Sequence, residues 1–438
     1  MNSPSTIVKR AFVLALGLAA LCGAAVENKP ADQAETLKRI GQAAAYVEKA
    51  LDDVTQLLPP EKVPDIHPKS ISLALAVAFL RAHTDQLGAD KATLDSEFDA
   101  IAGATLKLSK ASDNGDAVAA AANLDDVKKH WSAVKSQVPA GLFAAKLDPP
   151  VYGCIMHANQ TSPTPGICPI CGMVLVPKQA FQVAISEQKN TVTADVQVST
   201  PLQAGVEANV LLHLKADNGK PVPVSDLLVV HTQPIHLLVI DQSLGDYHHI
   251  HPKPTANPGE YAFTFTPRKP GPYAVYADIV PLATGRQEYA RTDIPGAADP
   301  EKLTNKDTVL KAEVEDLTYT LKFNQEHLVR GDALVGKLHI SRTADHEPFT
   351  RLEPLMGVFA HFVGFHEDHE SLIHIHPLGP DPVPVGSHGG PDLDFQFIPQ
   401  KSGFVRFFAQ VQIGGADKFV PFQLNFEEPK ETAAAAPK

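Results

Sequence analysis

The sequence is short of positive charge, of catalytic motifs and of long apolar segments. Its 438 residues carry 38 Lys and Arg against 50 Asp and Glu, a formal net charge of −12, without a dense basic stripe. This excess of acid argues against nucleic acid as a partner. No Gly-x-Ser-x-Gly, His-Glu-x-x-His or phosphate-binding loop occurs, so we do not expect an enzyme. After residue 30 there is no run of 18 apolar residues, so no transmembrane segment is expected in the mature chain.

The first residues are typical of an export signal. Two basic residues precede an apolar stretch, and small residues follow it. This order predicts a signal peptide over residues 1–25, cleaved after Ala25, and a periplasmic or secreted protein. Lipid attachment through Cys22 is the alternative, and we favour it less because Leu21 is bulky where a small residue is expected.

Cysteine is rare, with four residues in the chain. If Cys22 leaves with the signal, the three that remain lie in one 18-residue window: Cys154, Cys168 and Cys171. An odd number does not suit a disulfide framework in an exported protein. We therefore favour a metal site over the alternative, a Cys168–Cys171 disulfide that leaves Cys154 unpaired.

The apolar pattern predicts a multidomain α + β protein. Residues 30–145 repeat apolar positions at intervals of three and four, in four segments with short connections, which predicts an up-down helical bundle. Short alternating strands separated by Gly and Pro predict two tandem all-β sandwiches, at residues 180–294 and 310–427. A polar linker is expected at 295–309 and a disordered tail at 428–438.

The two β regions carry the same histidine pattern, offset by 125 residues. Three histidines and a proline of the first region align without gaps with those of the second. The pairs are His236 and His361, His249 and His374, His251 and His376, and Pro252 and Pro377. A duplication of one sandwich domain explains this better than chance does.

Two short knuckles, Cys154-x2-His157 and Cys168-x2-Cys171, lie ten residues apart. In a Cys-x2-Cys turn both side chains face one point, and two such turns give tetrahedral coordination, as in a zinc ribbon. The three cysteines are the expected ligands, with His157 as the fourth. The alternative is a structural zinc knuckle that only braces the junction between domains.

Met156 and Met173 add thioether sulfur to this stretch, which favours Cu(I) over zinc. The stretch resembles the heavy-metal-binding domain of bacterial metal-efflux components. The positions that match its pattern are Tyr152, Cys154, Met156, His157, Pro165, Gly166, Cys168, Pro169, Cys171, Gly172, Met173, Leu175 and Pro177. Ile155 and Ala158 replace two prolines of the pattern, which should loosen the first knuckle. The resemblance implies a heavy-metal-binding module over residues 150–178, and not efflux.

The repeated histidines are a second group of candidate ligands. Residues i and i+2 of a strand face the same side, so His249 and His251 point together. A hairpin turning at residues 241–245 would place His236 opposite His249 and diagonal to His251. Three imidazoles in such a patch could bind Cu(II) or zinc. The second region offers the same arrangement through His361, His374 and His376.

Asp278 and Gln410 occupy matching positions on a later strand and could orient an imidazole. The alternative for the histidines is a structural corner, in which the rings are hydrogen-bonded to the backbone. The β regions resemble the YtkA-like, immunoglobulin-type sandwich domains of exported bacterial proteins, through the His-Leu…His-Ile-His-Pro and Pro-Gly-x-Tyr features. That resemblance implies the fold more firmly than an activity.

The sequence therefore predicts an exported heavy-metal-binding protein, with copper or zinc as the ion and copper preferred. Its expected role is metal homeostasis, resistance or handover, with heavy-metal ions and another exported metal-handling protein as partners. The competing hypothesis is an exported structural or interaction scaffold, in which a zinc knuckle fixes the junction between the helices and the sandwiches.

Overall fold

The computed structural model describes residues 30–139, 141–147, 149, 151–154, 157, 160–170, 172, 175–178, 190–299, 301, 303, 305–379, 383 and 386–429. Over these ranges a helical region is followed by a part rich in β-sheet, as the sequence predicts. The helices are α1 (Pro30–Gln56), α2 (Ile66–Ala82), α3 (Lys91–Asp113) and α4 (Ala117–Gln137). Short 3-10 turns span Pro60–Asp65, Thr84–Gln86 and Val224–Asp226.

The four helices pack around one apolar core that includes Phe98 and Trp131. Two of them begin at a capping aspartate: Asp90 accepts the backbone N–H of Thr93, and Asp116 accepts that of Ala119, each at 2.9 Å. These contacts satisfy N–H groups that the first turn of a helix leaves without an intrahelical partner. The helix boundaries thus follow local capping chemistry.

Among the described residues, one helical stretch, Pro60–Ala82, is long and apolar enough to cross a membrane. In the protein, however, 61% of its most apolar window is buried. One side of α2 faces the helical core, and Ile71, Ala74 and Leu75 pack against Leu228 and Val280 of the β part. A helix covered on two sides is apolar nearly all round for that reason.

The β part begins with a small sheet of three strands in the order β2-β1-β3. Its strands are β1 (Val151–Gly153), β2 (Thr161–Ser162) and β3 (Val176–Lys178). The first β region then contains β4 (Val192–Val198), β5 (Ala208–Ala216), β6 (His236–Asp241), β7 (Tyr247–Ile250), β8 (Lys253–Pro254), β9 (Glu260–Phe265), β10 (Tyr273–Ile279) and β11 (Glu288–Ile294). The second contains β12 (Lys311–Val314), β13 (Leu317–Phe323), β14 (Leu334–Arg342), β15 (His361–His366), β16 (Leu372–Ile375), β17 (Asp392–Phe397), β18 (Gly403–Ile413) and β19 (Ala416–Phe426).

Each β region consists of two antiparallel four-stranded sheets that enclose a core. The first region has the sheets β4-β5-β9-β8 and β11-β10-β6-β7, and the second has β16-β15-β18-β19 and β12-β13-β14-β17. The sheets that contain β6 and β15 also pack against each other, so the four sheets form a stack. Every residue of β6, β10 and β15 is buried because both faces of these strands are covered.

Aromatic rings fill the interface between the two β regions. The ring of Phe365 in β15 lies 5.0 Å from that of Tyr247 and 5.9 Å from that of Tyr276, both in the first region. Phe408 of β18 lies 5.0 Å from Tyr247. Ring pairs at such distances add specific attraction to the burial of apolar area. The two β regions therefore share a hydrophobic interface, and the same interface holds the candidate metal centre.

We expect Phe365→Ala to lower the free energy of unfolding by about 3–5 kcal/mol, because it leaves a cavity between the β regions. Val335→Ala, at a site that is 41% exposed, is the control and should change it by less than about 0.5 kcal/mol. Urea denaturation measures both effects. Equal effects of the two substitutions would contradict a packed interface.

Candidate metal centre

The small sheet brings Cys154, His157 and Cys168 together, and we call this group the thiol module. Nδ1 of His157 lies 3.8 Å from Sγ of Cys154 and 3.7 Å from Sγ of Cys168. A tetrahedral ion with about 2.3 Å to sulfur and about 2.0 Å to nitrogen would hold those atoms about 3.6 Å apart. Both cysteines are buried, at 0% exposure. Three of the predicted ligands thus converge at a distance that fits a metal ion.

Backbone hydrogen bonds shape the two knuckles of the thiol module. Cys154 N–H donates to the carbonyl of Gln160 at 3.0 Å, and Gln160 N–H donates to the carbonyl of His157 at 2.8 Å. Gly172 N–H donates to the carbonyl of Cys168 at 2.9 Å, with a φ of 75° that favours glycine. The predicted ligands Cys171, Met156 and Met173 lie outside the described residues.

The cysteine sulfurs change the protonation of His157. Burial alone lowers the pKa of a histidine, but hydrogen bonds and charge from Cys154 and Cys168 outweigh burial and raise the pKa of His157 to about 9. The imidazole of His157 therefore carries a second proton at neutral pH in the metal-free module. A metal ion that binds there displaces that proton.

The first triad consists of His236, His249 and His251, and the ligand nitrogens of all three lie within 4.8 Å of one another. Nδ1 of His236 lies 3.1 Å from Nε2 of His249 and 3.2 Å from Nε2 of His251. Nitrogens bound to one tetrahedral ion at about 2.0–2.1 Å lie about 3.3 Å apart. The first triad therefore has the spacing of a three-histidine metal site.

The second triad consists of His361, His374 and His376 and repeats this geometry. Nδ1 of His361 lies 3.4 Å from Nε2 of His374 and 3.0 Å from Nε2 of His376. All three residues are buried, whereas His249 and His251 of the first triad are half-buried. The duplication that the sequence predicts has thus produced two matching sets of imidazoles.

Backbone carbonyls fix the tautomer of one histidine in each triad. Nε2–H of His236 donates to the carbonyl of Val230 at 2.9 Å, and Nε2–H of His361 donates to that of Leu355 at 3.2 Å. Nδ1 of each ring therefore carries a lone pair that points at its triad. The alternative of a structural corner, in which rings are hydrogen-bonded to the backbone, holds for these two histidines. The same contacts leave a second nitrogen on each ring that can bind a metal.

The middle histidine of each triad is held by the opposite β region. Nδ1–H of His249 donates to Oε1 of Gln410 at 2.7 Å, while the amide of Gln410 donates to Asp417 at 3.0 Å. Nδ1–H of His374 donates to Oδ2 of Asp278 at 2.6 Å. Nε2 of each middle histidine faces its triad. Asp278 and Gln410 do orient imidazoles, as the sequence suggests, but across the interface.

The hydrogen-bond partners of Asp278 and Gln410 within their own β regions were not identified from the sequence. Gln287 donates to both carboxylate oxygens of Asp278, at 2.8 and 3.0 Å, and Asp417 accepts from Gln410. Neither residue belongs to a motif. They matter because of the residues that they bind. Asp278 lies opposite His236 and Gln410 lies opposite His361 in their own sheets.

The turn between β6 and β7 sets the register of the first triad. The carboxylate of Asp241 accepts the backbone N–H groups of Ser243, Gly245 and Asp246 at 2.7–2.9 Å. With this turn Leu238 lies opposite His249, so the predicted pairing of His236 with His249 is wrong. Continuing the observed register, His251 is the residue that aligns with His236. A shift of two residues keeps each side chain on its face, which is why the triad still forms.

Burial keeps five of the six imidazoles in the triads neutral. Burial is the main cause that lowers the pKa of His236, His249, His361 and His376 well below 6.5, and neighbouring imidazoles lower it further. Burial also lowers the pKa of His251, to about 4. Their lone pairs therefore remain available to a metal ion at pH values where an exposed histidine is protonated.

Two protein families match the chain. The heavy metal binding domain family matches residues 151–178, which confirms the resemblance of the thiol module. The domain of unknown function DUF8832 matches twice, at residues 187–294 and 312–428, together 225 of 438 residues. The chain belongs to the DUF8832 family. Each of the two DUF8832 repeats contains one histidine triad.

No curated protein matches the chain. Solved structures with a weak likeness include α2-macroglobulin from Escherichia coli, at 13% identity over 54% of this chain and 15% of that chain, with a TM-score of 0.18. The D0-D1 domain of intimin has 12% identity over 54% of this chain and 98% of that chain, with a TM-score of 0.16. A DUF4785 family protein from Legionella pneumophila has 11% identity over 58% of this chain and 66% of that chain, with a TM-score of 0.18. The chain thus spans a small part of the macroglobulin, and such TM-scores carry no argument about fold or function.

We expect the stability of the metal-free protein to fall as the pH drops from 6.5 towards 4. Imidazoles with a depressed pKa in the folded state take up protons near pH 6.5 only after unfolding, so the unfolded state binds more protons in this window. Each such group contributes about 1.4 kcal/mol per pH unit. Melting temperatures measured between pH 7 and 4.5 test this.

The double variant His236→Gln/His361→Gln lacks two of these groups and should show a shallower dependence of melting temperature on pH. His388→Gln, at an exposed position, should leave the wild-type dependence unchanged. The prediction is contradicted if the double variant and the wild type lose stability equally below pH 6.5.

Proposed function

We propose that the protein binds a heavy metal ion, with copper preferred, and hands it between two ligand sets in an exported compartment. One observation carries this proposal: a cleft of about 490 Å³ is lined both by His157 of the thiol module and by His374 of the second triad. Gln160 and Ile170, next to the knuckles of the module, and Gln287, which binds Asp278, also line it. Two ligand sets that border one cleft can exchange an ion across it.

The two sets differ in the metals that they suit. Thiolates select soft ions such as Cu(I), while imidazoles suit copper and zinc alike. Zinc also binds both thiolate and imidazole, so the preference for copper rests on the thioethers of Met156 and Met173, which favour Cu(I) over zinc. The match to the heavy metal binding domain family supports metal binding by the module.

The same proposal includes export and a complete set of ligands in the thiol module. A signal peptide over residues 1–25 would place the protein in the periplasm or outside the cell. The thiol module would be a zinc-ribbon-like site with Cys171 as its fourth ligand. The two DUF8832 repeats would be immunoglobulin-type sandwiches related to YtkA-like domains. No catalytic role is proposed, and another exported metal-handling protein is the proposed partner.

One observation favours a structural role for the thiol module. The side-chain amide of Gln396 in β17 donates to the carbonyl of Pro169 at 2.7 Å. A Cβ on Gly172 would lie 2.1 Å from a methyl carbon of Leu378, so the module fits closely against the second β region. In the scaffold hypothesis, a zinc ion in the module serves only to hold this contact.

Metal titration distinguishes these two functions. Under reducing conditions we expect the mature wild-type protein to bind more than one equivalent of Cu(I). Cys154→Ser/Cys168→Ser should remove one equivalent and leave the unfolding of the β regions unchanged, since the module has its own small core. His249→Ala/His251→Ala should lower the Cu(II) stoichiometry, while His388→Gln, at an exposed site, should not.

The scaffold hypothesis predicts a different result. The wild type would bind a single zinc ion, and the double cysteine variant would lose the contact between the module and the second β region. Hydrogen exchange around Gln396 reports that contact. Such a result, with unchanged Cu(II) binding in His249→Ala/His251→Ala, would overturn the proposed handover.

A further inference from the structure

We infer that the two triads form one asymmetric two-metal centre, in which the second triad holds a resident ion and the first holds an exchangeable one. This inference rests on the proposed metal binding and goes beyond it, because it makes the two sites interdependent. It follows from three observations: the distance between the triads, the origin of the groups that orient them, and the difference between those groups.

The triads are direct neighbours across the interface. The ring centroid of His236 lies 6.2 Å from that of His374 and 6.4 Å from that of His361. The centroid of His249 lies 5.7 Å from that of His361. Since metal–nitrogen distances are about 2.0 Å, ions in the two triads would lie within about 12 Å of each other, and nearer if their ligand nitrogens face the interface.

A small cavity of about 10 Å³ adjoins both triads. It is lined by His236 of the first triad, by His374 and His376 of the second, and by Asp278. A space of this size admits about one water molecule. Two ions held in this way could share a single water or hydroxide, as paired metal ions do in other two-metal sites.

Each triad takes one orienting hydrogen-bond partner from the other β region. The second region supplies Gln410 to orient His249, and the first supplies Asp278 to orient His374. The hydrogen-bond partner of a ligating imidazole fixes its ring and strengthens it as a ligand. A change in one region therefore alters metal binding by the triad of the other region.

The two orienting groups differ in charge, and this difference makes the centre asymmetric. Asp278 offers a buried carboxylate to His374 at 2.6 Å, whereas Gln410 offers a neutral amide oxygen to His249 at 2.7 Å. A charged acceptor makes the stronger hydrogen bond and gives the stronger imidazole ligand. The second triad is also the more deeply buried one. The second triad therefore holds its ion more tightly than the first.

Cu(II) titration of the full chain that carries Cys154→Ser/Cys168→Ser, followed by calorimetry and electron paramagnetic resonance, tests this inference. The two replacements remove the buried thiols that would otherwise reduce Cu(II) to Cu(I), and all variants below carry them as well. We expect two ions at the histidines with different affinities. The spin count should fall below the copper count, or the signal should be broadened by the neighbouring ion. In His249→Ala/His251→Ala a single ion should remain, with a full and unbroadened signal.

The orienting groups give the sharper test. Asp278→Asn should weaken the tighter site by about 10- to 100-fold, although all six histidines and the whole second region are unchanged. Gln410→Glu combined with Asp417→Asn, which preserves a hydrogen bond between these two side chains, should tighten the weaker site. Because this second variant predicts a gain, it stays informative if Asp278→Asn folds poorly.

Each outcome has a separate meaning. If the histidines bind no Cu(II), their part in the proposed function fails. A second outcome is that they bind two ions with a full spin count and an unbroadened signal, and that Asp278→Asn changes neither affinity or only that of the first triad. In that case metal binding stands and the paired centre is wrong. A single ion shared by all six histidines would also overturn the inference.

Discussion

The packing of the two inner sheets against each other is the constraint on which the site depends. It covers the second face of β6, β10 and β15, which is why these strands are buried throughout. It also brings Gln410 to His249 and Asp278 to His374. Those contacts fix which nitrogen of each imidazole faces its triad. Aromatic packing at the interface and ligand geometry at the centre are therefore consequences of the same contact between the repeats.

This arrangement places many titratable rings in a region of low dielectric. A buried polar group is costly unless it is hydrogen-bonded, and here carbonyls, Gln410 and Asp278 satisfy one nitrogen on each of four rings. Their second nitrogens face one another, an arrangement that adds little stability by itself. An ion that binds only the folded state would stabilise the protein through mass action. The ligand geometry and the folding energy of the β part are coupled for this reason.

Much of this could be predicted from the sequence, because the decisive patterns are local or repeated. The knuckles of the thiol module and the 125-residue offset of the triads can be identified from the amino-acid sequence alone. The register of His236 was not predictable, since it depends on how the carboxylate of Asp241 folds the turn. The reciprocal contacts were not predictable either. They depend on how two sheets dock, and no periodicity within one strand encodes that.

The duplication has kept the ligands and changed the groups around them. Asp278 corresponds to Gln410, and His231, whose ring lies 3.7 Å from that of His376, corresponds to Met356. Both His231 and Met356 adopt a left-handed backbone, with φ of 49° and 52°, so the turn itself is retained while its side chain differs. Identical ligands with different neighbours are expected to bind the same ion with different strength. With a softer thiol set on the same cleft, the chain presents three candidate sites of graded character. Under the proposed handover, the direction in which an ion moves would depend on whether that ion prefers sulfur or nitrogen.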